Sequence, residues 1–150
     1  MRANITLSPK QLGMAAASVA LGGGVGTILR ALALRIQDAH WFEGWLGALP
    51  HHGQVSWWGH LPWILELINV LGVYLATRIL TGPLRNHDPN DLTRLLVVTG
   101  FFGGLTSYSS LYVSLAEIWH QSVPASLLVG LVAVLSGVGS GWLGLRHGHR

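Results

Sequence analysis

Cysteine is absent from this chain, and charge is scarce: nine basic and six acidic residues among 150. The missing thiols exclude cysteine chemistry and leave the redox compartment open. The scarcity of charge, with half of the residues hydrophobic and a mean hydropathy of +0.46, argues against a soluble domain. Nor does any nucleophile–base pair or metal-ligand constellation appear at any depth, so an enzyme is not expected.

What the chain does have is long uncharged runs. Gln11–Leu29, Leu95–Ala116 and Ser122–Leu145 carry no Asp, Glu, Lys or Arg. Leu61–Leu84 is interrupted only by Glu66 and Arg78. Each run is near or above the ~20 residues that cross a bilayer as a helix. The expectation is a single all-α integral membrane domain over residues 1–150, with spans at 11–36, 61–84, 92–119 and 122–145. The first span is too long for a signal peptide, whose apolar core has ~7–15 residues.

A pI near 10.0 invites a nucleic-acid reading, but the basic residues are better explained as topology signals. Arg2, Lys10, Arg78, Arg85, Arg94, Arg146 and Arg150 fall on one side of a four-span arrangement, against Arg35 on the other, with Arg30 inside the first span. That bias predicts cytoplasmic N- and C-termini. Tryptophan is skewed the other way. Trp41, Trp45, Trp57, Trp58, Trp63 and Trp119 collect on the basic-poor side, with only Trp142 opposite. The first loop, residues 37–60, therefore reads as an interfacial belt. His51, His52 and His60 there, and His147 and His149 at the C-terminus, match no metal-ligand spacing and read as solvated.

The first span holds Gly22 and Gly26, and the last holds Gly137 and Gly141, both in a small-xxx-small spacing that lets helix backbones approach closely. The third span is less ordinary. In "TGFFGGLTSYSS", Gly100, Gly103 and Gly104 are followed at once by Thr106, Ser107, Ser109 and Ser110. One reading is a broken helix, with freed carbonyls for a cation and hydroxyl donors for an anion. The other is a continuous kinked helix with serines bonded back to the preceding turn. The pattern alone leaves both open.

Three stretches resemble the small fluoride channel family, Fluc or CrcB. "GGGVGTILR" resembles its glycine-rich first helix, with Arg30 as the closing arginine, and "PWILELINVLGVY" resembles its second helix with Asn69. "GFFGGLTSYSS" is similar to the third-helix signature Gly-Phe-x-Gly-Gly-x-Thr-Thr-Phe-Ser-Thr-Phe. The resemblance implies four transmembrane helices with a broken third, an antiparallel dimer in a bacterial-type cell membrane, and fluoride export. It implies a structural sodium ion held by backbone carbonyls of Gly103 and Thr106, with no organic cofactor. It places Asn69, Thr106, Ser107, Tyr108, Ser109, Ser110 and Leu111 along the ion pathway. Tyr108 and Leu111 stand where the family has its two pore phenylalanines.

Three departures shape the expectation. Leu111 has no aromatic quadrupole, and Ser114 replaces an acidic residue of the family. Glu66 stands three residues from Asn69, on the same helix face, where the family is apolar. Arg30 and Glu66 lie at similar depths, ~9 Å and ~7 Å from the outer helix ends, so a structural salt bridge between them is expected. The charge bias favours one orientation, which suggests pairing with a homologous subunit of opposite topology. Two other readings stay open: a proton-coupled cation or drug exporter using Glu66, and a non-conducting partner subunit.

Overall fold

The computed structural model describes residues 8–38, 62–84 and 91–149. The elements are α1 (Pro9–Asp38), α2 (Trp63–Thr81), α3 (Leu92–Arg94), a π-helical run (Leu95–Phe102), α4 (Gly103–Leu105), α5 (Tyr108–Gln121) and α6 (Val123–Gly148). No strand occurs among the described residues. Four stretches are long and apolar enough to cross a membrane: Pro9–Arg35, Trp63–Thr81, Leu92–Gln121 and Val123–Gly148. They coincide with the expected spans to within a few residues at each end. The first loop, with its tryptophans and histidines up to residue 61, lies outside the described residues.

Local sequence sets the helix ends. Before α1, Ser8 and Gln11 cap each other: Ser8 N–H donates to Gln11 Oε1 at 2.9 Å, and Gln11 N–H to Ser8 Oγ at 3.3 Å. Pro9 then opens the helix, where its missing N–H costs nothing. Between α5 and α6 the chain turns on the single extended residue Ser122, whose N–H bonds Ile118 O at 2.7 Å. Its Oγ accepts the Ala125 N–H at 3.4 Å, so one serine closes one helix and caps the next. So short a link makes α5 and α6 neighbours.

The helices pack in two sets. α1 lies along the π-helical run and α4, while α2 and α5 lie against α6. Glycine permits the first contact. A Cβ on Gly22 would strike the Leu96 carbonyl, and one on Gly26 would strike that of Phe101. One on Gly100 would come within 2.8 Å of Val19 O. Backbone thus touches backbone, as the expected spacing requires. In the last helix the expectation is met only in part. Gly137 faces the Tyr108 hydroxyl, and a Cβ on Gly141 would make an ordinary 3.4 Å contact with Val73. The tight approach to α2 is made by Gly144 and Gly148 instead. Large apolar side chains such as Leu21, Leu67, Leu127, Leu131 and Val138 point outward, as on helices long and apolar enough to cross a membrane.

Candidate ion site at the break in the third crossing

The helix stops at Thr106. That residue is extended (φ −82°, ψ 145°), and so is Ser107 (φ −153°, ψ 106°), before α5 resumes at Tyr108. Of the two readings left open by the sequence, the broken helix is the one observed. The break has identifiable partners. Asn69, 2% exposed on α2, accepts the Ser107 N–H on Oδ1 at 2.8 Å, and its Nδ2 lies 3.5 Å from Ser107 O. Because the Ser107 N–H can only donate, the orientation of the amide is fixed.

The carbonyls of residues 103–106 lose their helical donors at this end, those of Gly103 and Thr106 among them. In an unbroken α-helix the Ser107 N–H would bond Gly103 O, and the Ser110 N–H would bond Thr106 O. Here the first goes to Asn69 and the second to Ser107 Oγ at 3.3 Å. Gly103 and Thr106 are the residues whose carbonyls the family resemblance assigns to a cation. Gly103 is exposed, and a Cβ there would have nothing within 4 Å.

Beyond the break, three hydroxyls gather at the N-terminus of α5. Ser107 Oγ lies 3.0 Å from Ser109 Oγ and 3.1 Å from Ser110 Oγ. The helix end adds partial positive charge, so the cluster is a place where O–H donors and a favourable dipole meet. Thr106 does not join it: its hydroxyl donates to Phe102 O at 2.9 Å, back into the preceding turn. Tyr108 is 41% exposed with its hydroxyl over Gly137. Leu111 is 3% exposed, packed with Leu65 and Ala133 in the interior and flanked by Leu34 and Leu115.

The expected Arg30–Glu66 salt bridge is not formed; no ion pair joins them among the described residues. Glu66 Oε1 instead accepts a hydrogen bond from Ser136 on α6. The reason is azimuth: α2 packs chiefly on α6, whereas α1 packs chiefly on the third crossing. Ser136 and Thr27, whose Oγ1 lies 3.5 Å from Gly104 O, are the site residues that sequence reasoning missed. No spacing rule could have joined Ser136 to a residue 70 positions away. At the far end of the bundle, His147 Nδ1 meets the Tyr74 hydroxyl at 3.0 Å, so that histidine is not simply solvated. No metal-ligating cluster of His, Asp and Glu occurs among the described residues.

A small multi-pass membrane protein, with one crossing interrupted half-way by a bracketed polar break, is the class these features define. Sequence comparison gives the family. The model described as "CrcB-like protein, Camphor Resistance (CrcB)" matches residues 17–145, and the chain belongs to that family. Its relatives include the "Fluoride-specific ion channel FluC" of Erythrobacter litoralis (strain HTCC2594), 35% identical over 121 residues, 79% of this chain and 78% of that one. "Fluoride-specific ion channel FluC 1" of Brucella melitensis biotype 1 is 30% identical over 134 residues, covering 87% and 96%. The "Fluoride-specific ion channel FluC" of Thermus thermophilus (strain ATCC BAA-163) is 31% identical over 131 residues, covering 87% and 90%.

Proposed function

We propose that this chain is a subunit of a fluoride-selective channel, not an enzyme, and that it lets cytoplasmic fluoride leave the cell. The observation that carries this is the hydroxyl cluster of Ser107, Ser109 and Ser110 at the start of α5, opened by the Asn69-bracketed break. Fluoride is small and tightly hydrated, so a route through the membrane must replace water with donors. Serine O–H groups supply them, the helix end adds positive potential, and the ring edge of Tyr108 adds a weaker one. A membrane potential of 100 mV, negative inside, drives each fluoride outward with about 2.3 kcal/mol. Multi-pass placement in a bacterial-type inner membrane follows, with both termini in the cytoplasm from the charge bias.

A structural sodium ion fits the freed carbonyls of Gly103 and Thr106. Hard cations take oxygen ligands, and unwound backbone at membrane depth is where such ligands occur. Bound there, the ion would offset the negative ends of the carbonyl dipoles. The open face at Gly103 supports a site shared with a second subunit across an antiparallel dimer axis. The one-sided charge bias and the buried Leu111 support a homologous partner of opposite topology.

Fluoride efflux from vesicles holding the purified chain tests the reading. Rapid loss of fluoride with chloride retained is the expected result. Efflux only when a co-purified homologous subunit is present would assign this chain a partner's role. Export of a cationic compound against its gradient, with no fluoride movement, would favour the exporter.

A further inference from the structure

The second span carries a carboxyl that the route described above does not use. Glu66 Oε1 meets the Ser136 hydroxyl, and Oε2 is buried without a hydrogen-bond partner. Ser136 has a second acceptor of its own, the Ala133 carbonyl at 2.9 Å. A serine hydroxyl has one hydrogen. With an ionised carboxylate, that hydrogen must serve two acceptors, while Oε2 holds negative charge where no donor among the described residues reaches it. One added proton closes the count. The acid O–H donates to Ser136 Oγ, Ser136 donates to Ala133 O, and Oε2 becomes a neutral carbonyl oxygen, far less costly to bury.

Among the described residues no cation pairs with Glu66. From α6, Glu66 is met by Ser136, whose hydroxyl also reaches Ala133 O. Leu65, next to Glu66, packs with Leu111 of α5, and the Tyr108 hydroxyl lies over Gly137, next to Ser136 on α6. From α1, Leu34 packs against that cluster, and Arg30, one turn before it, forms no ion pair with Glu66. The run Leu95–Leu105 carries no titratable side chain. Arg146 and His147 sit at the Tyr74 end of α2, more than two turns along.

We infer that Glu66 is a proton site beside the anion route, and that its charge sets the conductance. Glu66 and Asn69 share one face of α2, about 5–6 Å apart. With the proton bound, that stretch carries no negative charge. With the proton released to water, a carboxylate stands next to the amide that shapes the break and repels an approaching fluoride. This inference rests on the fluoride-channel reading.

The full chain, reconstituted in vesicles under a potassium–valinomycin clamp, is assayed by fluoride electrode at a series of pH values equal on both sides. Protein-free vesicles subtract hydrogen fluoride that crosses the lipid. The wild type should lose flux by about tenfold or more from acid to alkaline pH, the repulsion expected of a unit charge at this range. Glu66→Gln, neutral at every pH, should stay near the acid-side rate throughout. Infrared difference spectra give a second readout: a protonated-carboxyl band that fades over the same pH interval and is missing in Glu66→Gln. Wild-type flux that ignores pH, or pH dependence that survives in Glu66→Gln, would overturn the proton site and leave the channel reading standing. No fluoride flux from either protein at any pH, alone or with the co-purified homologous subunit, would overturn both.

Discussion

Asn69 grips one peptide from both ends: its side-chain oxygen takes the Ser107 N–H at 2.8 Å, and its amide nitrogen lies 3.5 Å from the Ser107 carbonyl. The two residues are 38 positions apart and on different crossings. Ser107 in turn uses its hydroxyl to receive the Ser110 N–H and start the next helix. A single buried amide thus ends one helix, frees the carbonyls of Gly103 and Thr106, and sets the frame for the hydroxyl cluster.

Removing that amide should therefore cost more than a side chain. Asn69→Ala leaves a buried Ser107 N–H without an acceptor, a loss of about 1–3 kcal/mol. Asn69→Asp keeps the acceptor but sets a buried carboxylate oxygen against the Ser107 carbonyl, so it should destabilise as well. The check is the midpoint of thermal unfolding in detergent, with both variants measured alongside fluoride efflux. Equal stability of Asn69→Ala and wild type would mean that the break holds itself open without α2.

The close approach of α1 to the third crossing predicts a sharp contrast among neighbouring glycines. A Cβ at Gly22 or Gly26 meets main-chain oxygens that have no room to retreat, whereas one at Gly24 meets nothing within 4 Å. Gly22→Ala and Gly26→Ala should each destabilise by about 1–3 kcal/mol, the usual cost of overpacking. Gly24→Ala should be near neutral. A ranking by unfolding midpoint decides it.

Much of this is legible in the sequence, and the rest is missing for a physical reason. Charge-poor runs mark the four crossings because lipid disfavours charge. The clustering of Gly103, Gly104, Thr106 and Ser107 allows a break or a kink, and only the family resemblance chooses the break. Depth, however, is one coordinate and azimuth another. Arg30 and Glu66 are level by rise per residue, yet the face of α2 that carries Glu66 turns toward α6, where Ser136 meets it. The hydroxyls mislead in a similar way: Thr106 belongs to the motif, but its side chain folds back onto Phe102 O. Composition identifies donors without saying which are already engaged.

Of the hydroxyl cluster, Ser109 offers the cleanest test, because Ser107 also caps α5 and its loss would mix stability with conduction. Ser109→Ala should leave the fold intact and lower fluoride efflux by roughly five- to tenfold, the worth of about one hydrogen bond. Unchanged efflux would place the route elsewhere.

If sodium occupies the freed carbonyls, it binds only the folded state and must stabilise it. At 100 times its dissociation constant the gain is about 2.7 kcal/mol. The unfolding midpoint should rise with sodium and stay flat when N-methylglucamine replaces it at equal ionic strength. A flat response to both would remove the ion from the account.

Orientation can be settled with a residue the protein lacks. Because the chain has no cysteine, one introduced thiol reports without background. His149 is exposed at the end of α6, and His149→Cys leaves the Lys and Arg distribution untouched. Seven basic residues on one side favour a single insertion, so an impermeant maleimide added outside intact cells should label none of the protein. Lysed cells should label all of it. An antiparallel homodimer requires the same chain inserted both ways and would give about half labelling from outside, since every dimer then presents one end to each face. The measurement thus separates a self-paired channel from one that needs a homologous partner of opposite bias, and it does so without assuming that either pathway conducts.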